Sequence, residues 1–104
     1  MSRFGFQRAV YHLSLRSPFT ERHPGDPASA LAELRRLTED PAIADLRTID
    51  LHCELDAEEI RIIETGDVAA MYRRGIHPNT IRNFAGNFGI DYVKQYERAG
   101  LRHA

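Results

Sequence analysis

His77 follows Gly75 by two residues in "AAMYRRGIHPNTIRNF" and stands directly before Pro78. It is the histidine whose setting is suited to chemistry. A tight turn projects its side chains, so an imidazole there can face a ligand, but the favoured reading is structural: it hydrogen-bonds the turn or caps the next helix near Asn79. The other candidates carry less. His12 and His23 are far apart in sequence, and His103 lies in the tail. His52 and Cys53 are adjacent, whereas metal sites use spacings such as CxxC or HxxxH that bring two ligands to one face. Neither spacing occurs. A Cys53–His dyad would need an exposed, activated thiol and a third group to orient the base, and nothing local supplies one. Asp56, Glu58 and Glu59 open a helical pattern, where carboxylates complement the positive end of the helix dipole without any catalytic role. Gly86 and Gly89 lie inside and at the end of an apolar helix, so they do not form a phosphate loop. No metal-ligand set and no nucleophile emerges, and a self-sufficient enzyme is not expected.

The elements that would position His77 are helices. The first is expected from about Phe4 to Ser17, with Phe6, Val10, Leu13, Tyr11 and Leu15 on its apolar face and Pro18 ending it. "TERHPGDP" reads as a loop, because Pro24, Gly25 and Pro27 resist regular structure. Asp26 then caps a helix whose first residue is Pro27, a favoured place for proline, with Ala30, Leu31, Leu34 and Leu37 as its stripe. Asp40-Pro41 repeats the device ahead of a short helix carrying Ile43 and Leu46. "LRTIDLHCEL", Leu46 to Leu55, alternates partially and reads as a helix end plus connector.

The clearest start follows. Asp56 and Glu59 have capping-box spacing, and Leu55 and Ile60 sit where a hydrophobic staple packs. Ile60, Ile63, Val68, Met71 and Tyr72 continue an apolar face. Gly66 interrupts it at a cost of about 1 kcal/mol relative to alanine in a helix interior, so a break is expected there, with Asp67 recapping the chain. Gly75 stops that segment in the left-handed manner. Pro78 opens the next helix, where Ile81, Phe84, Ala85 and Phe88 give the strongest amphipathic spacing in the chain. Gly89 ends it. Asp91 caps a last helix with Tyr92, Val93 and Tyr96, and Gly100 closes that one. The expected fold is all-α, a single compact domain of five to seven short helices. Residues 4–37 hold the N-terminal helices, 38–54 a connector, and 55–100 the motif-bearing helices.

Composition agrees with one small domain: 104 residues, 42% hydrophobic and 28% charged, with no internal repeat. No run of about 18 apolar residues offers a membrane span. Arg8 and His12 interrupt the stretch a secretion signal would need, and the single cysteine excludes an internal disulfide; a cytoplasmic protein is expected. Residues 1–60 hold 7 Lys/Arg against 11 Asp/Glu, and residues 61–104 hold 7 against 4. Nucleic-acid binders usually carry a stronger basic footprint.

One DNA-binding reading does rest on shape. Helix, glycine turn and second helix over residues 69–90 imitate a helix-turn-helix, in which Asn79, Thr80, Arg82, Asn83 and Asn87 would face the major groove and Arg73 and Arg74 the phosphates. The loop is slightly long for the tight turn. "FAGNFGI" suits burial better than groove reading.

The segment from Leu55 to Asp91 resembles the LigA family, the small α-subunit or domain of type II extradiol ring-cleavage dioxygenases such as protocatechuate 4,5-dioxygenase. The resemblance rests on Leu55, Asp56, Glu59, Asp67, Met71, Tyr72, Gly75, His77, Pro78, Phe84, Ala85 and Gly89, and more loosely on Phe4 to Leu37. It implies a non-catalytic accessory subunit. In that family a larger LigB-like β-subunit holds Fe(II) through its own histidine and glutamate ligands, and the α-subunit packs on it and helps close the aromatic-substrate pocket. No cofactor is then expected in this chain, and the implied partner is a LigB-like catalytic subunit; a homodimer is the alternative assembly. The turn at His77, Pro78 and Asn79 and the following helix with Phe84 and Phe88 are the expected partner-facing or pocket-facing surface, with at least one of the two phenylalanines expected in the core instead. Two departures stand out. Arg35 to Glu54 is longer than the family's connection, and "YVKQYERAGLRHA" lacks the C-terminal extension of some α-subunits. They leave room for a LigA-like protein whose partner is not a protocatechuate dioxygenase. A helix-turn-helix regulator and a stand-alone helical interaction module are the alternatives.

Overall fold

Prolines, capping carboxylates and left-handed glycines cut the chain into short helices. The computed structural model describes residues 3–38 and 55–101. Over these it forms α1 (Arg3–Ser14), α2 (Pro18–Glu21), α3 (Pro27–Thr38), α4 (Ala57–Thr65), α5 (Val68–Arg73), α6 (Pro78–Phe88) and α7 (Tyr92–Arg98), with no strand among the described residues. The expected helix with Ile43 and Leu46, the connector before Leu55, His52, Cys53 and His103 lie outside the described residues.

The start signals act as the residue types require. The Asp26 carboxylate accepts the Ser29 N–H at 3.1 Å and the Ser29 hydroxyl at 2.7 Å, and these bonds hold its pKa below the ordinary value. Asp56 and Glu59 complete a reciprocal capping box, with Glu59 N–H donating to Asp56 at 2.8 Å and Asp56 N–H donating to Glu59 at 3.0 Å. Asp67 and Asp91 accept from Ala70 N–H and Lys94 N–H at the starts of α5 and α7. Each such cap contributes about 1 kcal/mol.

Two boundaries differ from expectation. α1 ends at Ser14 rather than Ser17. The Ser14 hydroxyl donates to the Tyr11 carbonyl at 2.6 Å and Leu15 N–H closes back onto His12, so the last turn is terminated locally before proline is reached. Pro18 opens the one-turn helix α2 instead of merely ending α1. The buried Thr20 hydroxyl organises that turn, accepting from Ser17 N–H and lying within hydrogen-bond distance of the Leu15 and Ser17 carbonyls.

The core unites the periodic positions: Phe6, Val10 and Leu13 of α1, Leu31 and Leu34 of α3, Ile62 and Ile63 of α4, Val68 and Met71 of α5, and Ile81, Phe84 and Phe88 of α6. Each such side chain contributes about 2 kcal/mol of burial relative to exposure. α1 packs most extensively on α6, α3 on α4, and α5 on α7. Tyr11, Leu15 and Tyr72, expected on apolar faces, are instead exposed.

Polar side chains fasten the joints. Gly66, at φ +67°, ends α4 and lets the chain turn into α5. Gln95 of α7 spans that joint, accepting Val68 N–H at 3.0 Å and donating to the Gly66 carbonyl at 2.9 Å. Glu59 is only 5% exposed. The Arg74 guanidinium lies 3.9 Å from it and 5.9 Å from the Phe6 ring centroid, within cation–π range, and so links α4, the end of α5 and α1.

Candidate functional site

The α1–α6 pair builds the most distinctive surface. α6 turns Ile81, Phe84, Ala85 and Phe88 into the core. At its far end the Asn87 amide donates to the Leu13 and Leu15 carbonyls at 2.9 and 3.1 Å. Leu13 is in the last turn of α1 and Leu15 is the first residue past it, where carbonyls lack helical donors. One side chain therefore caps α1 and fixes it against α6.

At the near end, Gln7 and Tyr11, one turn apart on α1, meet Gly75, Ile76, His77 and Thr80 around a cavity of about 250 Å³. The turn at its edge is rigid for identifiable reasons. Gly75 takes φ +90°. Ile76 N–H returns to the Met71 carbonyl at 3.1 Å, and the Ile76 side chain is buried in the core. His77 is the N-cap of α6, with Pro78 as the first helical residue. Its ring Nδ1 accepts Asn79 N–H at 3.0 Å. That bond requires the tautomer with hydrogen on Nε2, which leaves an N–H free to donate to an external acceptor.

The helix-capping role and an exposed imidazole thus coexist at His77. Pro78 and Asn79 are exposed beside it. Phe84 and Phe88 do not belong to this surface: they are 0% and 4% exposed, with ring centroids 5.0 Å apart, and they serve the core. Of the three residues that periodicity places on apolar faces but that are exposed, Tyr11 is the one that lines this cavity. It is 52% exposed and stands edge-on to His12 at 5.6 Å. Its neighbour across the cavity comes from a helix more than sixty residues later, a pairing with no local signal.

The carboxylates with shifted pKa lie away from this cavity. Glu33 is held below its ordinary value first by the hydrogen bond from His23, at 2.8 Å, and then by Arg22. Glu58 is lowered by Arg61. Among the described residues no three His, Cys, Asp or Glu side chains gather where a metal ion could be held. The cavity offers instead a phenol, an amide, a hydroxyl and an imidazole N–H around an open mouth, an arrangement that can orient or cover a polar aromatic group. Among the described residues no helix is long and apolar enough to cross a membrane. No family model, curated protein or solved structure matches the chain.

Proposed function

We propose that this chain is a cytoplasmic, non-catalytic accessory subunit of LigA type, which packs on a LigB-like extradiol dioxygenase subunit and helps close its aromatic-substrate pocket. The observation that carries the reading is the rigid His77 turn. The position that the resemblance brings forward is exposed, preorganised by its bond to Asn79 N–H, and flanked by the exposed Tyr11. Fe(II), expected in the partner, would supply the chemistry that binds catechol and dioxygen. The residues of this chain act by exclusion and orientation. Tyr11 and the Gly75–Ile76 turn wall off water, which strengthens the electrostatic interactions inside a closed site. His77 Nε2–H is a donor for a substrate or partner oxygen. The test is to mix the purified chain with a LigB-like iron subunit and follow co-elution by light scattering together with oxygen uptake on catechols. A stoichiometric complex with raised ring-cleavage activity is expected; separate elution with unchanged activity overturns the proposal.

A helix-turn-helix regulator is the second reading. It is favoured by the outer face of α6, where Asn79, Arg82 and Asn83 are exposed. Against it, Asn87 is committed to the α1 carbonyls. Salt-dependent binding to duplex DNA would support it.

A further inference from the structure

A second cavity, of about 490 Å³, opens further along the α1–α6 seam, where Leu15 and Arg16 face Arg82, Asn83, Gly86 and Asn87. We infer that this cleft docks an acidic, extended segment of a partner protein, with a carboxylate held between Arg16 and Arg82 and the segment's backbone lying over Gly86.

Charge is the first reason. Arg22, Arg36, Arg61 and Arg74 all lie beside carboxylates of this chain. Arg16 and Arg82 reach one cleft from separate elements, are both exposed, and make no ion pair among the described residues. Glu21 borders the adjoining hollow of about 200 Å³ with Arg16 but does not pair with it. Two arginines lining one cleft suit a carboxylate, which a guanidinium can bind in bidentate fashion.

Gly86 is the second, independent reason. It sits inside α6 with a helical backbone, and a Cβ built there meets nothing within 4 Å. Glycine in a helix interior costs about 1 kcal/mol relative to alanine, and no packing among the described residues requires it. Its bare backbone floors the cleft and permits close approach from outside. Asn83 is exposed without a hydrogen bond among the described residues, and Asn87 keeps its carbonyl oxygen as an acceptor while its amide caps α1. Together they match the alternating donors and acceptors of an extended backbone. Leu15, 39% exposed at the rim, adds an apolar contact.

The openness of the cleft decides for a segment over a small molecule. Leu15, Arg16, Arg82, Asn83 and Gly86 are all exposed, so a small ligand would remain largely in water, whereas small-molecule sites bury about 70–90% of their ligand. The inference rests on the chain having a protein partner, not on that partner's being an oxygenase, and its test uses no iron subunit.

The experiment is a ¹⁵N NMR titration of the full chain with three probes: a short acetylated peptide alternating Glu and Leu, its Gln-for-Glu counterpart, and a short DNA duplex. The acidic peptide is expected to shift the Arg16 and Arg82 side-chain resonances and the backbone of residues 82–87, with the neutral peptide roughly tenfold weaker or more. Arg16→Gln with Arg82→Gln, and separately Gly86→Leu, should abolish those shifts while leaving the rest of the spectrum unchanged. Gly86→Leu distinguishes occlusion of the cleft from loss of charge. No shift at these residues at millimolar peptide, equal response to both peptides, or stronger response to DNA there overturns the inference.

Discussion

The Asn87 side-chain amide lies 2.9 Å from the Leu13 carbonyl oxygen, across 74 residues of sequence. With its second bond to Leu15, it joins the end of α1 to the end of α6 and so sets the seam along which both cavities open. Asn87→Ala leaves two helix-terminal carbonyls without this donor. A loss of about 1–2 kcal/mol is expected, read as a lower denaturant midpoint with an unchanged slope. An unchanged midpoint would mean that the seam is held by apolar packing alone.

Two glycines should respond in opposite directions. Gly66 has φ +67°, and its Cβ would lie 2.7 Å from Ile90 Cδ1, so Gly66→Ala should destabilise by about 1–2 kcal/mol. Gly86 is helical with open space where its Cβ would stand, so Gly86→Ala should stabilise by about 0.5–1 kcal/mol. Thermal unfolding of the two variants beside the parent checks both signs.

The punctuation of this fold was legible in the sequence because it is local. Asp26, Asp56, Asp67 and Asp91 each cap a backbone N–H three residues on, and Gly66, Gly75, Gly89 and Gly100 each take a positive φ. Tyr11, Leu15 and Tyr72 were misplaced because periodicity marks a face as apolar but not how far a neighbouring helix extends to cover it. Gln95 and Asn87 carry no sequence signal as fasteners, since a polar side chain that bonds a carbonyl from a distant helix has no sequence spacing to betray it. Of the candidate site, only the local geometry is legible. The His77 cap follows from its place before Pro78, whereas its meeting with Gln7 and Tyr11 is a product of tertiary packing.

His77 tests whether cap and surface roles separate. His77→Ala removes the acceptor for Asn79 N–H and should cost about 0.5–2 kcal/mol, while His77→Asn restores a good cap and should recover most of it. Equal stability of the alanine variant and the parent would show that the ring contributes nothing to the start of α6.

Acid should loosen the hairpin between α2 and α3. Glu33 is the shared acceptor of His23 and Arg22, and its folded pKa lies below the ordinary 4.5. A depressed carboxylate contributes stability that is present above the unfolded pKa and lost as pH falls through the folded one. The stability difference between parent and Glu33→Gln is therefore expected to be full at neutral pH and to shrink as pH drops below 4.5. Urea unfolding at a series of pH values measures it. A difference independent of pH would remove the ionised carboxylate from the account.

The most direct test of the accessory-subunit account is oxygen uptake by a LigB-like iron subunit on a catechol, with no addition, with this chain, and with its Tyr11→Ala/His77→Asn variant, which retains the α6 cap. Expected are no ring cleavage by the chain alone with Fe(II), a higher kcat/KM for the iron subunit when the chain is added, and at least about tenfold less enhancement with the variant, a loss near 1.4 kcal/mol of transition-state stabilisation. Ring cleavage by the chain alone, or equal enhancement by parent and variant, would contradict it.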